Sequence, residues 1–179
     1  MPVTAENAGI DPADTIDPTG MTVEVETTIP AAAGQVWDLL ADLPRIGEFS
    51  PECRYAAWID GSGPHTGARF EATNAAGGFE WNVVGQVIEA DRPRAFAWVV
   101  FGAEERVDRP SSTWRYDLTA TGDGTLVRHR FVHGPGGSGI TLMIGRSPDR
   151  AAAILEERRQ RLLANMRHGL DEFRAALGG

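Results

Sequence analysis

The sequence contains no lysine; all 17 of its basic residues are arginine. That uniformity reads as the codon bias of a GC-rich genome rather than as mechanism. Set against 25 acidic residues, it leaves a net charge of −8. A general nucleic-acid binder needs a basic face to displace counterions, so nucleic acid is excluded as a partner. Cysteine is nearly missing too. Cys53 stands alone, which rules out an intrachain disulfide and argues against a zinc cluster built on thiolates. It has no local nucleophile signature and reads as a half-buried structural thiol. Long hydrophobic runs are also absent: the longest, Ala95 to Phe101, is far short of the roughly 20 residues that span a bilayer. The first residues, "MPVTAENAGIDPADTIDPTG", have neither a basic start nor an apolar stretch, so no signal peptide is expected. A soluble, cytoplasmic chain is the expectation, and 179 residues suffice for one domain with a core of its own.

What is present is organised in two parts. Residues 1–20 carry Glu6, Asp11, Asp14 and Asp17 with no basic residue, and are expected to form a disordered acidic tail. Residues 21–179 are expected to form the domain. "TVEVETTI" (22–29) alternates as a half-buried strand does, and Pro30 stops it. Ala31 to Ala41 has Val36, Leu39 and Leu40 on one helical face. It runs into "DLPRIGEFSPEC", where Pro44, Gly47 and Pro51 break the helix while Leu43, Ile46 and Phe49 keep an apolar side. From Tyr55 the period is two: "YAAWID", "GARFEATN", "FEWNVVGQVIEA", "RAFAWVVF", "STWRYDLTA" and "TLVRHRFVH" are candidate strands. The connections between them are short, which favours an antiparallel meander. Ser147-Pro148-Asp149 opens a long terminal helix reaching about Leu177.

Strand, two short helices, six strands and one long helix predict an α+β helix-grip fold. In it a curved antiparallel sheet of about seven strands wraps around the C-terminal helix. Four segments, "TIPAAAGQVWDLLADLPRIGEFSPEC", "WIDGSGPHTGARFEATN", Trp114 followed by "RYDL", and "LLANMRHGLDEFR", resemble the START-like (SRPBCC) superfamily in its polyketide cyclase/dehydrase branch. The resemblance covers roughly residues 21–177 and implies a cavity between sheet and terminal helix. Members look like carriers of lipids or other hydrophobic molecules, cyclases or dehydratases of polyketides, or protein-binding modules. One fold hosts all three, so all three stay open.

Alternation gives the face that would line such a cavity. Phe70 and Asn74, then Trp81, then Trp98, then Trp114 and Tyr116, then His129 fall on one side of successive strands. Large rings with few polar groups suit a small-molecule site, and Tyr116, Asn74 and His129 are the polar interruptions. The bland alternative is an ordinary aromatic core. On the terminal helix Leu155, Leu162, Met166, Leu170, Phe173 and Leu177 share a stripe, and Arg159 is expected to project into its middle. There it would bind a ligand carboxylate, phenolate or enolate, unless it pairs with Glu156 instead.

His129 and His133 do not make a metal site. On a strand four residues span about 13 Å, too far for two ligands of one zinc. "GPGGSG" (134–139) lacks the lysine of a phosphate loop. With "ITLMIG" it reads as a mobile connection serving as a lid, with Met143 as an apolar contact, or else as a homodimer contact. No nucleophile elbow, paired carboxylates or dinucleotide motif appears, and no cofactor is expected. Binding of a hydrophobic small molecule is the first functional expectation. A polyketide cyclase or dehydratase using Arg159, Tyr116 or His129 is the second, and an interaction module the third.

Overall fold

The computed structural model describes residues 16–59, 61 and 63–178. Seven strands form one antiparallel sheet: β1 (Thr22–Ile29), β2 (Cys53–Trp58), β3 (Arg69–Ala76), β4 (Phe79–Asp91), β5 (Ala95–Val100), β6 (Ser112–Thr121) and β7 (Gly124–His133). Their spatial order is β1-β7-β6-β5-β4-β3-β2. The strands from β2 to β7 are therefore a meander, and β1 joins the last of them. Helix α1 (Ala33–Leu40) and a 3-10 turn (Leu43–Glu48) follow β1; α2 (Gly139–Arg146) and the long α3 (Ala151–Leu177) follow β7. This is the expected α+β helix-grip arrangement.

The strands form where apolar and polar residues alternate, and two bulges adjust them. Between β4 and β5 the register slips from Val87 opposite Trp98 to Glu89 opposite Ala97, so Ile88 is an extra residue. It moves Ala90 onto the inner face opposite Phe96 and Glu89 onto the outer one. In β2 the slip lies between Cys53 and Tyr55. The outer face carries a ladder of ion pairs, among them Arg130 to Glu24, Arg128 to Glu26 and Arg115 to Glu89. Among the described strands only β5 is buried on both sides.

At one end the inner face is closed by α1. Val36, Trp37, Leu39 and Leu40 are buried, and Trp37 Nε1 donates to the Ala95 carbonyl at 2.8 Å, fixing the helix to β5. The broken stretch after α1 becomes the 3-10 turn, opened by Pro44. It places Phe49 against Phe173 of α3, ring centroids 4.5 Å apart. Along α3 the buried run is Ala151, Ile154, Leu162, Met166, Leu170 and Phe173.

One expectation is corrected at the other end. The "GPGGSG" run is not a loose connection. Gly134 and Gly136 N–H groups donate to the carbonyls of Ser111 and Pro110, and a Cβ on Gly102 would strike the Gly136 carbonyl at 1.9 Å. These glycines allow two backbones to touch. The following residues then fold as α2, capped by Ser138, whose Oγ accepts from the N–H groups of Ile140 and Thr141. As for the expected acidic tail, residues 1–15 lie outside the described residues. Ile16 packs on a small cluster of Ile144, Ala151 and Ile154, and Gly20 donates to the His133 carbonyl.

Candidate functional site

Register turns the inner face into rows of side chains. One row runs Val87, Trp98, Trp114, Phe131, Val23. The next runs Ala90, Phe96, Tyr116, His129, Val25. Five of these ten are aromatic and one is imidazole, so the two rows form a continuous wall of rings. Trp98 and Trp114 are parallel, with centroids 6.0 Å apart. Tyr116 stacks on His129 at 4.0 Å, and Trp114 lies 5.6 Å from His129. Phe173 of α3 meets Tyr116 edge-on at 6.4 Å. The strand positions are legible in the sequence as a set, and the structure does bring Trp98, Trp114, Tyr116 and His129 together.

The wall is covered unevenly. Phe96, Val127, Leu162 and Phe173 are fully buried, whereas Trp114, Val83 and Asn74 are only half-buried. The β3–β4 hairpin extends past the end of β5 and carries Asn74 opposite Trp81 on its inner side. Trp81 is 38% exposed and Phe79 more so. Leu155 of α3 points along the inner stripe yet is only half-buried, and α2 shows Leu142 and Met143 to solvent at the same end of the sheet. Apolar side chains therefore stay partly exposed around Trp114 at this end, while the other rings of the two rows are buried. Phe70, at the covered end of the hairpin, is buried over Gly85: a Cβ there would sit 2.4 Å from the ring. Shallow depressions of about 230 and 110 Å³ touch none of the wall's rings: the first lies against Val83, Val84, Phe101 and Glu105, the second against Arg109 and Pro135.

Burial sets the electrostatics. His129 is held neutral, its pKa pushed down to about 3 by desolvation, and the Tyr116 hydroxyl is pushed up for the same reason. His129 Nε2 is buried and has no hydrogen-bond partner. His133 is different: Nδ1 lies 2.8 Å from the Gly134 carbonyl oxygen and Nε2 2.8 Å from Ser138 Oγ, so it supports the α2 cap. His129 and His133 share no metal geometry, and no metal-binding cluster occurs among the described residues.

Three of the expected site residues stand apart from the wall. Arg159 does not project into the interior. Its guanidinium bonds both oxygens of Glu156 at 2.8 and 2.9 Å, and its side chain is 41% exposed. Met143 is 51% exposed on α2. Met166 is buried in the core beside Leu162 and Leu170. The arginine that does lie on the inward stripe is Arg158. It sits between Ile154 and Leu162 and pairs with Glu52 at 3.1 Å, the two side chains 18% and 15% exposed. Helical spacing from Ile154 and Leu162 points to it; centring the stripe on Leu155 selects its neighbour.

The family model described as "Polyketide cyclase / dehydrase and lipid transport" matches residues 21–177. The solution structure of a Polyketide_cyc-like protein from Corynebacterium glutamicum is similar at 26% identity and TM-score 0.65, covering 90% of this chain and 94% of that one. The di-domain ARO/CYC protein StfQ of the steffimycin biosynthetic pathway aligns at 13% identity and TM-score 0.67. That alignment covers 88% of this chain and 50% of the other. A Thermus thermophilus protein, TTHA0849, aligns at 14% identity and TM-score 0.61, over 89% of this chain and 100% of its own. No curated protein matches the chain.

Proposed function

Because the chain belongs to the polyketide cyclase/dehydrase and lipid-transport family, we propose that it binds a hydrophobic small molecule against the aromatic wall, between sheet and α3. The observation that carries this reading is the uneven cover: in a wall of otherwise buried stacked rings Trp114 is left half-buried, beside partly exposed apolar side chains such as Trp81 and Leu155. A core with no guest would gain by closing over Trp114 and Leu155, since each Å² of apolar surface left in water forgoes about 25 cal/mol. No helix among the described residues is long and apolar enough to cross a membrane, and we place the protein in the cytoplasm.

Native mass spectrometry of freshly purified protein tests the reading, together with titration by the polarity-sensitive probe 1-N-phenylnaphthylamine. A co-purifying apolar compound, or saturable probe fluorescence at one site, is the expected result. No adduct and no saturable probe binding would overturn it. The Tyr116–His129 stack favours a second reading, a cyclase or dehydratase that uses the same surface. In that case Tyr116→Phe would abolish turnover of a poly-β-carbonyl substrate while leaving probe affinity intact.

A further inference from the structure

His129 Nε2 is a polar atom with nothing to bond. It belongs to a residue only 6% exposed, surrounded by the rings of Trp114 and Tyr116. Buried polar atoms are almost always partnered, and the exceptions ask for a cause. The charges around it narrow the cause. Among the described residues, no aspartate, glutamate or arginine is fully buried. Arg158 is neutralised by Glu52, and Arg159 is turned outward to Glu156. A carboxylate brought to the wall would meet no free cation, only an imidazole that burial keeps uncharged.

We propose that the guest is an uncharged apolar molecule bearing a hydroxyl, that the hydroxyl seats on His129 Nε2, and that carboxylates are rejected. The inference rests on the ligand-binding reading above and deepens it. A hydroxyl both donates and accepts, so it satisfies Nε2 in either tautomer of the neutral ring. Of the rings in the two rows Trp114 is the one that is only half-buried, and it lies 5.6 Å from His129. A flat guest sliding past Trp114 would deliver its hydroxyl to the imidazole edge. His129 then acts as a specificity determinant that recognises without titrating.

Three probes of one shape decide the matter at pH 7.5: 2-naphthol, 2-methylnaphthalene and 2-naphthoate, followed by tryptophan quenching and calorimetry. The wild-type protein should bind 2-naphthol about tenfold more tightly than 2-methylnaphthalene, the scale of one hydrogen bond to a buried acceptor. Binding of 2-naphthoate should be weaker still. In His129→Leu the naphthol preference should fall to about onefold. Should that variant not fold, the imidazole 15N resonances of the wild-type protein decide: those of His129 shift on adding 2-naphthol and not 2-methylnaphthalene. Equal binding of the two neutral probes, a preference that survives in His129→Leu, unmoved His129 resonances, or a preference for 2-naphthoate would each overturn the inference while leaving the binding reading intact. Failure of all three probes and of 1-N-phenylnaphthylamine would overturn both.

Discussion

At the scale of the residue, burial decides more than proximity. His129 shares its row with Tyr116 at 4.0 Å, yet neither ring is poised to carry charge at neutral pH. This has a measurable sign. Above its ordinary value near pH 6.5, His129 is neutral in both the folded and the unfolded chain. Below it, the unfolded chain takes up a proton that the folded chain refuses until about pH 3. Stability should therefore fall as pH drops through that window, by at most about 1 kcal/mol per pH unit from this group. His133 is also pushed down by burial and adds to the slope, so the comparison that isolates His129 is the wild type against His129→Leu. Urea unfolding at pH 7, 6, 5 and 4 should give a shallower acid loss for the variant; identical slopes would show that the imidazole is not held neutral. Arg159 illustrates the opposite case. Its exposed pair with Glu156 is a local i, i+3 contact of small value. Arg159→Leu should leave 2-naphthol affinity within about twofold, the factor that a few tenths of a kcal/mol produces.

Among the elements, strands are readable in the sequence and their irregularities are not. Alternation places Phe70, Trp98, Trp114, Tyr116 and His129 on one face because each strand between bulges keeps a strict period of two. The Ile88 bulge leaves no trace, since the extra residue is itself apolar. The short helix α2 is hidden behind its glycines, and its cap at Ser138 is a single hydroxyl. Ser138→Ala should cost about 1 kcal/mol and raise amide hydrogen exchange across Gly139–Arg146 while the sheet stays protected. Gly85 makes a different demand. A Cβ there would meet the Phe70 ring at 2.4 Å and the Val99 carbonyl at 2.6 Å. Gly85→Ala should destabilise by about 1–3 kcal/mol, seen as a lowered Tm. Adding Phe70→Leu should recover only part of the loss, because the carbonyl remains in the way.

For the whole molecule, the sequence announces a sheet gripping a helix but not where the cover over the sheet is thinnest. That depends on how α3 lies over β1 and on α2 taking Ile154 into its own small cluster, which leaves Leu155 half-covered. Both are tertiary facts with no local pattern. The choice of Arg159 over Arg158 has a more local cause: the periodicity of α3 fits a stripe through either Ile154 or Leu155, and only the neighbours of α3 decide that Ile154 is the buried one. The partly exposed apolar side chains make a prediction at this scale. Met143 is one of them and supports no core. Met143→Glu should leave Tm unchanged and slow association with 1-N-phenylnaphthylamine severalfold in stopped-flow mixing. An unchanged rate would place guest uptake elsewhere.

The register slip in β2 has a last consequence, for how copies of this chain behave in concentrated solution. The sheet is open, so β2 leaves its outer row of backbone groups without a strand partner. A straight strand there would be a template onto which another chain could add itself. The kink between Cys53 and Tyr55 breaks the even spacing such an addition needs, and Arg54 stands at the kink. Only the few residues from Tyr55 to Trp58 keep regular pairing geometry, too short a run to propagate a fibril. The irregularity opposite Asn74 thus shortens the template that β2, one of the sheet's two edges, offers another chain, and leaves β1 as the longer regular edge.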